Sequence, residues 1–324
     1  MSRFLSRLVI GIAIVLPTLG FAADAAWPSR PITLITPGDA GGVLDIRARW
    51  LAERLTPLLG QAVIVDNRPG SGGSLGTQAG ARSPADGHTL TLIHLGTMAI
   101  NPHLYARLGY DPLADFIPIT QISGGPQLLV VHPSVKARSL AELIRLVKEQ
   151  PGQLNFGSAG IGTPSHLAGE LLKRLAALDV VHVPYKGGAQ AVSALLSGQI
   201  TFMAESPSVL VQHVAAGRLR ALAVTGPTRV KSLPDVPTTA EAGLPELELV
   251  AWTGLAVPAG TPKTVVERIH REVRDLMTTP KAGEWLELIG SYPRNDSPES
   301  FAAVIRADHA KWGKVIRDAG IRLE

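Results

Sequence analysis

The chain predicts an α/β protein built as two lobes, and three observations carry that expectation. Short β-branched runs alternate with helical patterns for most of its 324 residues, as strands and crossover helices do in α/β sheets. A length near three hundred residues usually divides into two cores. Glycine-rich segments stand where a predicted strand hands over to a predicted helix, at residues 37–42 and 159–163.

The elements follow in order. Arg3 and Arg7 precede an apolar run from Leu8 to Leu16 and small residues through Ala26, the pattern of a secretory signal peptide over residues 1–25. That apolar run is short for a bilayer span, and cleavage is expected between Ala23 and Trp27. Strands are predicted at Ile32–Thr36, Val63–Val65, Thr89–Ile93, Leu128–Val131, Leu154–Phe156, Val180–Val183, Ile200–Met203 and Leu219–Val224. Helix starts are legible at Ser139 with Glu142 and at Thr238 with Glu241, both capping boxes, and at Ser297-Pro298-Glu299. From Thr261 onward helix follows helix, over Pro262–Met277, around Glu284–Ile289 and over Pro298–Ala319, so these must cover a sheet already built. The expected division is residues 27–124 with 249–324 as lobe 1 and 125–248 as lobe 2. Crossings near Ser123-Gly124-Gly125 and Leu247–Val250 would form the hinge.

Composition excludes several classes. The chain has no cysteine, so disulfides, thiolate metal sites and cysteine nucleophiles are absent. No second apolar stretch long enough for a membrane span follows the N-terminal one. The net charge of +4 is mild, its Lys and Arg are scattered and aromatics make up 5% of residues, which does not suit nucleic-acid binding.

The chemistry-bearing pattern is the pair of strand-loop-helix segments. In Ser158-Ala159-Gly160-Ile161-Gly162-Thr163-Pro164-Ser165-His166, Thr163 is an N-cap and Pro164 suits the first helical turn. The next amides then have no helical acceptors, and a carboxylate fits there. In Pro37-Gly38-Asp39-Ala40-Gly41-Gly42, glycines allow close backbone approach before a helix from about Val43 to Leu58. Asp45 is expected to cap that helix, with orienting the loop glycines as the alternative, and Arg47 and Arg49 are expected to form salt bridges, with direct ligand contact as the alternative. His166 would either donate to an anion or be a satisfied structural histidine. The glycine-dense stretch Arg68–Gly76 is expected to be a structural turn, with a cleft rim as the alternative.

Ser158, His166 and Glu170 supply the residue types of a hydrolase triad, and His166 with Glu170 has one-turn spacing for a shared metal. The G-x-S-x-G elbow, H-E-x-x-H and Gly-Lys-Ser/Thr signatures are all missing, so neither an enzyme nor a cofactor is expected.

Further motifs line up with a known family. They include Trp27-Pro28-Ser29-Arg30-Pro31-Ile32, Ala40-Gly41-Gly42 with Asp45 and Ala48-Arg49, Asp66-Asn67-Arg68-Pro69-Gly70, and Pro84-Ala85-Asp86-Gly87-His88-Thr89-Leu90. Later come Gly160-Ile161-Gly162-Thr163 with His166 and Glu170, His182-Val183-Pro184-Tyr185-Lys186-Gly187, and Leu233-Pro234-Asp235-Val236-Pro237. The chain resembles the periplasmic solute-binding proteins of tripartite tricarboxylate transporters, the TctC or Bug family, over essentially the whole mature length. The resemblance implies a type II periplasmic-binding-protein fold, two α/β lobes joined by two hinge crossings with the ligand cleft between them. It implies a small carboxylate ligand held largely by backbone groups and waters of two loops, here matching Gly41-Gly42 and Gly162-Thr163. The ligand-binding set expected on these grounds is Asp39, Gly41, Gly42, Asp45, Thr97, Ser158, Gly162, Thr163, Ser165, His166, Tyr185 and Glu205. Implied partners are a large and a small integral membrane transporter subunit, with a sensor kinase as the alternative output; a monomer in the periplasm is expected.

The sequence departs from the family pattern where specificity is set. Gly38-Asp39 replaces the usual Phe and small residue, Leu44 stands where Thr is common, and Glu205 matches the usual Asp. A carboxylate at Asp39 would repel a second ligand carboxylate if it faces the cleft, favouring a monocarboxylate or an amino acid.

Overall fold

The cleft is set by two sheets that share one strand order. A computed structural model describes residues 27–319, so the expected signal peptide lies outside the described residues. The first lobe runs β1 (Ile32–Thr36), α1 (Val43–Leu59), β2 (Val63–Asn67), α2 (Ser74–Ala81), β3 (Thr89–His94), α3 (Asn101–Leu104) and β4 (Phe116–Pro126). The second comprises β5 (Leu128–Val131), α4 (Leu140–Glu149), β6 (Asn155–Ser158), α5 (Pro164–Leu175), β7 (Val181–Pro184), α6 (Gly188–Leu196), β8 (Phe202–Glu205), α7 (Pro207–Ala215) and β9 (Arg220–Val224). The chain returns through β10 (Val250–Pro258), α8 (Lys263–Met277), α9 (Pro280–Leu288), β11 (Tyr292–Pro293) and α10 (Pro298–Ala319).

The first sheet has the order β11-β4-β10-β3-β1-β2 and the second β7-β6-β8-β5-β9. In each, the strand that arrives from the other lobe is the antiparallel one: β10 against β3 and β4, β5 against β8 and β9. All other pairs in the two sheets are parallel save for the short β11, so β1, β3, β6, β7 and β8 end at the cleft. Ligands of open α/β sheets bind beyond such strand ends.

The predicted strands form within a residue or two of their expected places, but the two longest were not anticipated. Ser123-Gly124-Gly125, expected as a crossing turn, lies inside the eleven-residue β4, and β10 starts at the other expected crossing. Both strands carry strand breakers. Pro118 of β4 is tolerated because the register with β10 shifts between Leu255 and Ala256, and a second shift lies between Thr253 and Gly254. Gly254 is needed here: a Cβ would strike the Phe301 ring of α10, which packs edge-on to Trp252.

Helix starts follow the sequence. Ser139 accepts from Glu142 N–H, and Thr238 and Glu241 bond reciprocally at 3.1 and 2.8 Å, although no helix follows the second box. The C-terminal helices do cover the first sheet. Ile269 and Val273 of α8 join Leu51 and Leu55 of α1 in one apolar cluster, while Phe301, Ile305 and Trp312 of α10 join a second that continues into Leu129 and Phe156 of the other lobe.

Gly254→Ala forces the Phe301 ring and Thr120 carbonyl to move, an overpacking cost of about 1–3 kcal/mol. Thermal unfolding of the variant is expected several degrees below the parent; an unchanged midpoint would refute this packing.

Candidate functional site

A cleft between the lobes is lined by the ends of the parallel strands and by the crossing strands. Pro37, Gly38 and Asp39 follow β1, His94 ends β3, Ala159 and Thr163 follow β6, Lys186 and Gly187 follow β7, and Glu205 ends β8. Gly125, Gln127, Trp252 and Thr253 of the crossing segments form its floor.

The α5 start behaves as a capped helix end. Thr163 Oγ1 accepts from His166 N–H at 3.3 Å and donates to Gly160 O at 2.6 Å, and Leu167 N–H bonds Thr163 O. With Pro164 lacking an N–H, the Ser165 amide is the first-turn donor left without a helical acceptor. Gln127 Oε1 and Arg47 Nε in the cleft wall are buried without a hydrogen-bond partner, and the buried Ser165 hydroxyl faces the Glu205 carboxylate. Together they give the cleft a polar wall.

Arg47 and Glu205 set the electrostatics. Arg47 is buried and donates to Thr253 Oγ1 at 2.8 Å and Ser291 Oγ at 3.0 Å, neutral hydroxyls rather than carboxylates. Burial lowers its pKa to about 10, partly offset by the Glu205 charge, so it stays cationic at neutral pH. Glu205 accepts Ser206 N–H at 2.8 Å; burial, with the Asp39 charge, raises its pKa to about 7 against the opposing Ser206 bond, Arg47 charge and Ser165 hydroxyl. His94 is held neutral by burial and by Arg47, its pKa lowered to about 4.

Of the twelve expected ligand-binding residues, Asp39, Thr163, Ser165 and Glu205 line the cleft. The others sit behind or beside it. Asp45 Oδ2 accepts Gly41 N–H and Arg49 Nε, both at 2.9 Å, so it braces the first loop in place of the cap expected; Gly42 is the N-cap. Thr97 Oγ1 bonds the His94 backbone, and Tyr185 packs beside Gly157. Gly162, at φ +82°, leaves no room for a Cβ against Asn101 of lobe 1, and Tyr105 donates to Ile161 O at 3.2 Å, so this loop meets the opposite lobe.

Arg49 forms the expected salt bridge, with Asp45, but Arg47 does not: its place four residues before Leu51 turns it into the cleft floor, where hydroxyls replace a carboxylate partner. The Arg68–Gly76 stretch is more than a structural turn, since Gly72 and Gly73 form part of the cleft rim. Trp252 and Thr253 went unnoticed because the glycine and proline of β10 hid that strand, and Gln127 because it is the single residue linking β4 to β5.

Ser158 bonds His182 Nε2 at 2.7 Å, not His166, and accepts Gly160 N–H at 3.2 Å. It is fully buried and does not belong to the cleft lining. His166 Nδ1 accepts Gly162 N–H at 3.3 Å, and its ring lies 4.5 Å from His182. Burial lowers the two imidazoles to about 3 and 4, so both are neutral structural groups at physiological pH. Ligand atoms of His166, Glu170 and His182 lie within 4.8 Å of one another, but the bonds to Gly162 and Ser158 already engage one ring nitrogen of each histidine.

Two lobes of one strand order, crossed twice by the chain and closed around a cleft at their strand ends, define a bilobal solute-binding protein. The chain belongs to the tripartite tricarboxylate transporter receptor family, TctC, whose model matches residues 47–321. BugT of Bordetella pertussis is 34% identical, with 99% of each chain aligned. Among solved structures, Rpa4515 of R. palustris with adipate has a TM-score of 0.89 at 35% identity, covering 92% of this chain and 100% of that one. MatC of Rhodopseudomonas palustris with bound malate has a TM-score of 0.85 at 31% identity, covering 90% and 100%. Among the described residues no helix is long and apolar enough to cross a membrane.

A buried acid with a raised pKa keeps its stabilising proton below its unfolded value, and that contribution is lost as pH rises through the folded value. For Glu205 the window runs from about 4.5 to about 7. Glu205→Gln is therefore expected to match the parent's melting temperature near pH 5 and to exceed it increasingly toward pH 8. Parallel curves would show that Glu205 is not the titrating group.

Proposed function

We propose that this protein captures a small carboxylate-bearing solute in the periplasm and delivers it to the large and small integral membrane subunits of a tripartite tricarboxylate-type transporter. The observation that carries the reading is the α5 start: a helix N-terminus opening on the interlobe cleft, with no helical acceptor for the Ser165 amide and the Ser165 hydroxyl buried beside it next to Glu205. A carboxylate there takes up the Ser165 amide, replaces Glu205 as the partner of the hydroxyl, and lies within the field of the helix dipole and of Arg47. The similar structures of Rpa4515 with adipate and MatC with bound malate support the same ligand class. Capture without turnover fits the burial of Ser158.

Binding is by closure. A ligand bridging both lobes favours the closed form and shifts the population toward it, and the closed shape is what the membrane subunits read. The sequence-predicted signal peptide supports export.

A thermal-shift screen of organic acids on the mature protein tests this directly. A true ligand at a hundred times its Kd stabilises the fold by about 2.7 kcal/mol. The same ligand is expected to compact the protein in small-angle scattering, and Ser165→Ala to weaken it roughly tenfold or more, the worth of one charge-assisted hydrogen bond. A screen with no responding carboxylate would defeat the proposal.

A further inference from the structure

Three helices of the second lobe start at the cleft; α7 is capped by its own Ser206, whose hydroxyl accepts Ser208 N–H, and the chain treats the other two differently. The α5 start keeps a donor without a partner. The α6 start does not: Ala189 N–H, in its first turn, donates to Asp39 Oδ2 at 3.0 Å, across the cleft from the other lobe. The helix supplies no cap of its own, because its N-cap is Gly187. A Cβ at Gly187 would run into the Asp39 carboxylate, so the glycine leaves the seat that Asp39 fills. An aspartate from lobe 1 thus does for α6 what an N-cap side chain does elsewhere.

Glu205 crowds the same place. Its Oε2 lies 3.4 Å from where a Cβ of Gly188 would stand, and Gly188 is the first residue of α6. The cleft therefore presents one helix end free to accept an anion and one whose anion is built in, with a second acid beside it. The cations lining the cleft are Arg47, tied to Thr253 and Ser291, and the exposed Lys186.

We propose that Asp39 is the specificity-determining residue of the cleft: by seating its own carboxylate on the α6 start it excludes solutes with a second carboxylate and selects monocarboxylates whose far end is neutral or cationic. This rests on the carboxylate-binding reading of the α5 start. A second ligand carboxylate would have to displace Asp39 from Ala189 or lie beside it as a like charge, and both penalise binding. An ammonium at that end would instead pair with Asp39.

The test is a matched series differing only at the far end: hexanoate, adipate and 6-aminohexanoate, with butanoate, succinate and 4-aminobutanoate as the shorter set. Each is titrated by calorimetry into the mature protein and into Asp39→Ala and Asp39→Asn, with circular dichroism to verify folding. In the parent, the dicarboxylate of each set is expected to bind at least tenfold more weakly than the matching monocarboxylate. Asp39→Ala is expected to narrow or reverse that ratio by tenfold or more and to weaken the amino acids relative to the monocarboxylates. Asp39→Asn keeps an acceptor for Ala189 but removes the charge, so it relieves the discrimination only in part; where Asp39→Ala fails to fold, this partial shift decides. A parent that binds dicarboxylates as tightly as monocarboxylates, or a ratio unmoved by both substitutions, overturns the assignment while leaving carboxylate capture intact. Failure of every probe to bind any of the three proteins overturns both.

Discussion

The antiparallel pairing of β4 with β10 is the constraint on which the molecule depends. These strands carry the chain out of the first lobe and back into it, and they remain paired from Phe116 with Pro258 to Pro126 with Val250. Because the outgoing strand continues into β5 and the returning one arrives from the second lobe, the same ladder orders the first sheet and fixes where the second begins. It also makes the floor of the cleft, through Gly125, Ala251, Trp252 and Thr253. A shift in its register beside Thr253 places that hydroxyl under Arg47. Bulges of this kind re-aim side chains next to binding sites.

Charge in the cleft is arranged around that floor. Arg47 is buried without a directly bonded acid, a costly arrangement unless its donors are satisfied. Thr253 and Ser291 satisfy two of them, and the Glu205 charge helps to hold the guanidinium protonated. Glu205 comes from the opposite lobe, so the balance of the two charges belongs to the closed arrangement and to neither half alone.

The local parts of this design were legible in the sequence. Thr163 announced a helix start and forms one, and the short parallel strands declared themselves by β-branched runs. Parts that depend on distant partners were not. Pro118, Gly124 and Gly254 read as breakers because the ladder that tolerates them pairs segments more than a hundred residues apart. Arg47 looked like half of a salt bridge because nothing near it in sequence shows that its neighbours are Thr253 and Ser291. Nothing near Gly162 in sequence shows that its lack of a side chain serves the fit against Asn101. Glycines that permit close approach do not say what approaches.

Trp252 links the cleft to the helix behind it. The residue belongs to the cleft lining, and its buried side chain packs against α10, with Nε1 bonded to Asp308 at 2.7 Å and the ring edge-on to Phe301. The tryptophans at 50 and 285 are stacked on each other 4.4 Å apart, in the core of the first lobe. Indole emission follows local hydration and polarity, so a change at the interlobe lining bears first on Trp252, with the stacked pair, Trp27 and Trp312 as the background of five tryptophans. Intrinsic fluorescence is thus a label-free place to look for a change in that lining.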